Sequence, residues 1–253
     1  MQPGFSKQQE LARDIRREVQ QRIQPILAKY QSKIARLIRN GQATDDLLRK
    51  LFDELRAALG PEIAVITTER MMELVDEIGL GMDLAVISQE ALTHAREYTY
   101  ELVNGLDNTT RRLVREAMST YQQTPGMTLG DLTRLLDPAF GEARSQMIAV
   151  TEVTRAYSAA TNQYQQMAQD AGVDMRRVWL TLQDDLVCPI CGPLHGMPEE
   201  DWKAAHPNGP PAHVNCRCST ELTIDTLEEA RARGEAAQAE RERVLRELGL
   251  WPT

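Results

Sequence analysis

Cys188-Pro189-Ile190-Cys191-Gly192, followed downstream by His213-Val214-Asn215-Cys216-Arg217-Cys218, holds every cysteine of the 253-residue chain. A C-P-x-C-G turn suits a metal knuckle. Two thiolates three residues apart converge on one ion, Pro189 fixes the turn, and Gly192 can take the positive φ by which the chain leaves it. The second cluster carries an H-x-x-C step and then a C-x-C step, so more donors are on offer than a tetrahedral site needs. Cys188 and Cys191 are the first pair of ligands. His213 and Cys216 are the second, because H-x-x-C repeats the knuckle spacing. Cys218 is the alternative ligand: on a strand its thiol shares a face with that of Cys216. His195 and His206 read as solvated loop histidines.

The competing reading is a pair of disulfides. Residues 1–40 are charged throughout and hold no apolar stretch of the kind a secretory signal needs. That points to a reducing compartment, where paired cysteine clusters serve as metal ligands rather than bridges. A structural zinc site can contribute about 10 kcal/mol to folding, comparable to the whole net stability of a domain. Residues 184–211 are poor in apolar side chains and rich in Pro and Gly, so burial alone is expected to hold them badly.

A catalytic zinc keeps an open position for water and has a carboxylate base beside it. Asp184, Asp185, Glu199, Glu200 and Asp201 are near in sequence, but acidic loop residues are ordinarily solvated. His206, Asn208 and His213 follow the order of an H-N-H nuclease. That constellation needs a helix to present its last histidine, and Pro207, Gly209, Pro210 and Pro211 forbid one. No H-E-x-x-H step or triad spacing supports a peptidase. The expectation is a protein that is not an enzyme.

Two strands flank the cysteine loop. Residues 176–182 have strand composition, with Val178, Leu180 and Leu182 on one face and Trp179 on the other; residues 218–224 form the second candidate. Paired antiparallel, they bring the knuckle and the H-x-x-C step together. Outside them the pattern is helical. A first helix runs from a cap at Ser6 to Asn40-Gly41, kinked at Pro25. A second carries Leu47 to Leu59, Gly60-Pro61 breaks the chain, and a third runs from Pro61 to Gly79-Leu80-Gly81. A fourth covers 84–104 and ends at Asn104-Gly105, where a domain boundary is placed. A fifth spans about 110–123. A short helix follows over 128–136, capped by Thr128 with Asp131 at the capping-box position, and a longer one runs from Pro138 to about Asp170. Thr226, boxed by Glu229, starts a last amphipathic helix, after which Leu250-Trp251-Pro252 is free to dock on a neighbour. The fold class is mainly α: long N-terminal helices, then a small α+β domain with a short antiparallel sheet and a zinc-stapled loop.

The net charge is −8, unevenly spread: residues 1–40 carry nine Lys/Arg against three acids, while 41–105 carry five against 13. A basic arm suits an anionic partner such as nucleic acid or an acidic protein surface. The plain alternative is a solvated helix face. No apolar run approaches membrane-spanning length.

The order of these parts resembles a known family. Thr151-Glu152-Val153-Thr154-Arg155-Ala156 sits in a helix ahead of Trp179. Then come Asp184-Asp185, the C-P-x-C knuckle, Leu194-His195-Gly196, and His213-Val214-Asn215-Cys216-Arg217-Cys218. This is similar to the phage Mu F-like minor head protein family, also called the phage head morphogenesis family, over roughly 106–224. The family pattern has Pro where Val214 stands, and its final cysteine varies, which favours Cys188, Cys191, His213 and Cys216 as the metal set. Glu152 and Arg155 match its T-E-x-x-R positions and can pair along the helix or brace it against the metal loop. Trp179 and Asp184 are the other structural positions carried over. The resemblance implies a virion component: a structural minor head protein at the portal vertex or head interior, assembled in the host cytoplasm, contacting portal, with capsid or scaffolding protein as further candidate partners, and acting in procapsid assembly and genome packaging or ejection. The alternative is a DNA-binding module, through the 1–40 arm, or a metal-dependent nuclease. The expected division is 1–105 for a helical docking region, 106–224 for the head morphogenesis domain, and 225–253 for a C-terminal amphipathic helix.

Overall fold

The computed structural model describes the backbone of residues 3–79, 84–184 and 186–247; side chains are described from residue 12 on, apart from 84–88, 90–92, 94–104 and 245. Leu80-Gly81, Asp185 and Leu250-Trp251-Pro252, all singled out above, lie outside the described residues. Seven helices and one two-stranded sheet are seen among the described residues.

The N-terminal helices are longer and fewer than their sequence punctuation suggests. Helix α1 spans Pro3–Arg39 and runs through Pro25. It buries Val19, Ile23, Leu27, Tyr30, Ile34 and Ile38, a single stripe at three- and four-residue steps. Helix α2 spans Asp45–Ile78, so the break expected at Gly60-Pro61 is absent. An internal proline costs a helix about 3 kcal/mol. Leu55, Leu59, Ile63 and Ile66 nevertheless continue one buried stripe across it. Each such side chain gains about 1.5–3 kcal/mol by burial, so the stripe outweighs the proline. Helix α3 spans Leu84–Gln123 and likewise runs through Gly105 without the expected interruption. One helical glycine costs only about 1 kcal/mol.

The chain forms two compact units, one of residues 1–65 with 92–149 and one of 66–91 with 150–253. In the first, α1 packs on helix α4, Leu129–Phe140. The Gln31 side chain ties them, donating to the Thr133 carbonyl at 2.9 Å and to Asp137 at 2.6 Å. Thr128 and Asp131 form the predicted capping box of α4. This helix passes through Pro138 and stops at Gly141, whose amide bonds the Asp137 carbonyl. A Cβ at Gly141 would sit 2.8 Å from that oxygen, so the turn there admits only glycine without a shift of the backbone.

The second unit holds most of α5 (Glu142–Asp170), strands β1 (Arg176–Leu180) and β2 (Ser219–Thr223), the short helix α6 (Glu199–Trp202) and helix α7 (Leu227–Glu247). The strands pair antiparallel as expected, Trp179 opposite Thr220 and Leu180 opposite Ser219. That last pair sets the two ends of the cysteine loop side by side. Arg177 and Glu199, both buried, pair at 2.8 Å and fix α6 to β1, and Gln165 of α5 donates to the same carboxylate at 2.6 Å. Thr226 and Glu229 cap α7 reciprocally, as predicted.

Candidate metal centre

The loop between β1 and β2 folds back on itself and gathers the sulfurs. Two overlapping triads, Cys188–Cys191–His213 and Cys191–Cys216–Cys218, each have donor atoms within 4.8 Å of one another, and they share Cys191. His213 Nε2 lies 3.0 Å from Cys188 Sγ and 3.4 Å from Cys191 Sγ, and Cys191 Sγ lies 3.8 Å from Cys216 Sγ. Sulfurs about 2.3 Å from a tetrahedral ion sit about 3.8 Å apart, so the Cys191–Cys216 spacing already matches one edge of such a site. None of the cysteines is in a disulfide. A pocket of about 30 Å³ opens among these donors, Leu182 and Arg217. His213 Nδ1 donates to the Val214 carbonyl at 2.8 Å, which leaves Nε2 as a lone pair facing the thiols.

The electrostatics favour a cation. Among the three inner sulfurs, hydrogen bonds from Cys191 and then Cys218 hold the Cys216 thiol far below its ordinary range. Cys191 is pushed up by its contact with Cys216. Cys218 is drawn down by Cys191 and by the Trp179 indole, but Cys216 and burial drive it up to about 12. Buried thiolates repel one another, and a bound cation reverses that repulsion. On the outer side, burial would raise Cys188, but the Cys191 amide and His213 hold it below the ordinary thiol range. Burial would lower His213, but the Val214 carbonyl and the sulfurs of Cys216 and Cys188 raise it. The donor set, its spacing and its charge therefore fit a soft divalent ion.

The scaffold around the donors holds more apolar packing than residues 184–211 led us to expect. Trp179 and Trp202 are fully buried and meet edge to face at 5.3 Å, and Cys191, Cys216 and Cys218 pack in the same cluster. Gly192 does not take a positive φ; it opens a 3-10 turn, Gly192–Leu194, and its bare Cα faces Arg241 of α7. The positive φ falls at Gly196, where α7 crosses so closely that a Cβ on Gly234 would lie 2.4 Å from the Gly196 carbonyl oxygen. Gln238 of α7 donates to the carbonyls of Gly192 and Pro193 at 3.1 Å each.

His195 is buried rather than solvated, a correction to the sequence reading. Its Nδ1 accepts the Thr181 amide at 3.1 Å, and its Nε2 meets the Gln183 side chain. Burial, with a smaller contribution from Arg241, lowers its pKa to about 4. His206 is half-buried, its ring tilted against Trp179 at 5.5 Å. Residues 203–218 form turns, bends and extended backbone with no helix, so the H-N-H arrangement lacks its supporting element. Asp184 is not merely solvated: both its oxygens accept from Arg217 at 2.7 Å, and this guanidinium holds its carboxyl below the usual range. Of the two T-E-x-x-R positions, Glu152 is buried and Arg155 exposed. Contacts that sequence reasoning missed come from their neighbours. Thr151 Oγ1 accepts from the Asn215 amide, and Thr154 Oγ1 donates to the Cys216 carbonyl, each at 2.9 Å. Asn215 itself stands at φ +65°, a conformation Asn tolerates better than most residues, and that preference was a usable signal.

A helical chain that staples a Cys/His loop onto a two-stranded sheet defines a class of small α+β module. Residues 120–221 match the sequence profile of the family described as Phage Mu protein F like protein, and the resemblance is confined to that span. Searches of curated proteins and of solved structures returned no match.

Proposed function

We propose that this chain is a structural minor head protein of a tailed phage or prophage, held together at its loop-rich end by zinc. The family match over 120–221 carries the first half of that reading, and the second is supported by the two triads that share Cys191, from which Cys188, Cys191, His213 and Cys216 are taken. Those four are the proposed ligands, with Cys218 the alternative to His213. Zinc is the natural occupant of a thiolate-rich site with one imidazole. The role is assembly rather than catalysis, with Trp179 and Asp184 as structural supports of the loop. The chain works at the portal vertex or inside the head after assembly in the host cytoplasm, its helical residues 1–105 docking on portal, capsid or scaffolding protein. No helix of the described residues is long and apolar enough to cross a membrane.

Elemental analysis tests the metal: His213→Ala is expected to lose zinc while Cys218→Ser keeps it, and the reverse would exchange the two ligands. Co-purification with a portal ring tests the role; a monomer indifferent to portal would contradict it. A DNA contact is a second reading, favoured by the exposed Arg13, Arg17, Lys33, Arg36 and Arg39 of α1. It requires DNA binding that weakens steeply with salt, and no binding at low salt would remove it.

A further inference from the structure

We infer that Thr151 and Thr154 of α5 are positioning residues for the metal centre: a two-point clamp that presents Cys216 to the ion. The inference rests on the reading of the cysteine cluster as a zinc site. Three residues apart on a helix, the two side chains share a face. Helical threonines ordinarily return the hydroxyl to the carbonyl one turn back. Thr120, Thr133 and Thr161 do so, onto Glu116, Leu129 and Tyr157. Thr151 and Thr154 reach a separate segment, and they bind opposite kinds of group there. Thr151 takes the Asn215 N–H and Thr154 supplies the Cys216 C=O. These two backbone groups bracket the Cys216 Cα, so the clamp fixes the backbone on both sides of a ligand.

The bracket also holds an otherwise unfavourable conformation. Asn215 stands at φ +65°, and the Cys216 amide turns back to the His213 carbonyl at 3.2 Å. The clamp therefore orients His213 and Cys216 together. Thr151 and Thr154 are buried, and the Thr154 contact is shielded from water, which would otherwise compete for the same groups. Groups that orient metal ligands typically change metal affinity by about 10–100-fold when lost.

The test is zinc affinity of the full chain, by competition with a chromophoric chelator, together with the absorption spectrum of the cobalt(II)-loaded protein. Thr154→Val and Thr151→Val keep shape and remove the hydroxyl. Each is expected to weaken zinc binding about 10-fold or more and to shift the cobalt bands. Thr154→Ser and Thr151→Ser are expected to restore both. Thr161→Val, equally buried on the same helix, is the control and should leave affinity and spectrum unchanged. Wild-type affinity and spectrum in both valine variants would overturn the clamp. So would losses that serine fails to restore, or a loss of the same size in Thr161→Val. Absence of zinc and cobalt binding in the wild-type chain would overturn the metal reading itself, a failure distinct from that of the clamp.

Discussion

Asn215 shows how one residue type can be dictated by backbone geometry. At φ +65° a Cβ is crowded for most residues, and Asn and Gly are the usual occupants. Asn215→Ala is expected to lower stability by about 1–2 kcal/mol and Asn215→Gly by much less, read from urea midpoints. Equal losses in the two variants would show that the side chain, not the φ angle, matters. His195 gives the pH dependence. Its folded pKa, lowered to about 4 by burial, lies below the ordinary histidine value near 6.5. The unfolded chain therefore takes up a proton first as pH falls, and stability is lost between about pH 6.5 and 4. His195→Gln should flatten that part of the stability profile; an unchanged slope would place the acid sensitivity elsewhere.

At the scale of elements, the helices depart from their sequence punctuation where packing overrides local preference. Gly60-Pro61 and Asn104-Gly105 are ordinary stop signals, yet α2 and α3 run through both. The clue for α2 was present in the four-residue spacing of Leu55, Leu59 and Ile63, which stays in phase across the proline. Pro61→Ala should therefore stabilise α2, by about 1–3 kcal/mol, because the stripe is kept and a hydrogen bond is gained. A lower thermal midpoint would mean that Pro61 itself makes a needed contact. The strands were easier to read. Residues 176–182 and 218–224 have strand composition and flank the cysteine loop, and β1 and β2 pair antiparallel there. The α7 crossing was not legible, because it depends on two glycines, Gly196 and Gly234, that are 38 residues apart (234 − 196) and meaningless separately. Gly234→Ala should cost about 1–3 kcal/mol by forcing α7 off the loop.

For the molecule as a whole, the cysteine spacing announced the candidate site, but not how it is supported. Donor residues can be picked out by type and interval, whereas Asp184 with Arg217, Thr154 with Cys216, and Trp202 against Trp179 meet only after the loop has folded. The two tryptophans also show that the loop leans on apolar packing as well as on any ion. Zinc K-edge X-ray absorption of the purified chain addresses that division most directly. The expected spectrum shows sulfur at about 2.3 Å and a single nitrogen at about 2.0 Å around zinc, at roughly one ion per chain. A shell of sulfur alone would substitute Cys218 for His213 and keep the zinc staple. No zinc edge, or a shell of light atoms without sulfur, would contradict it.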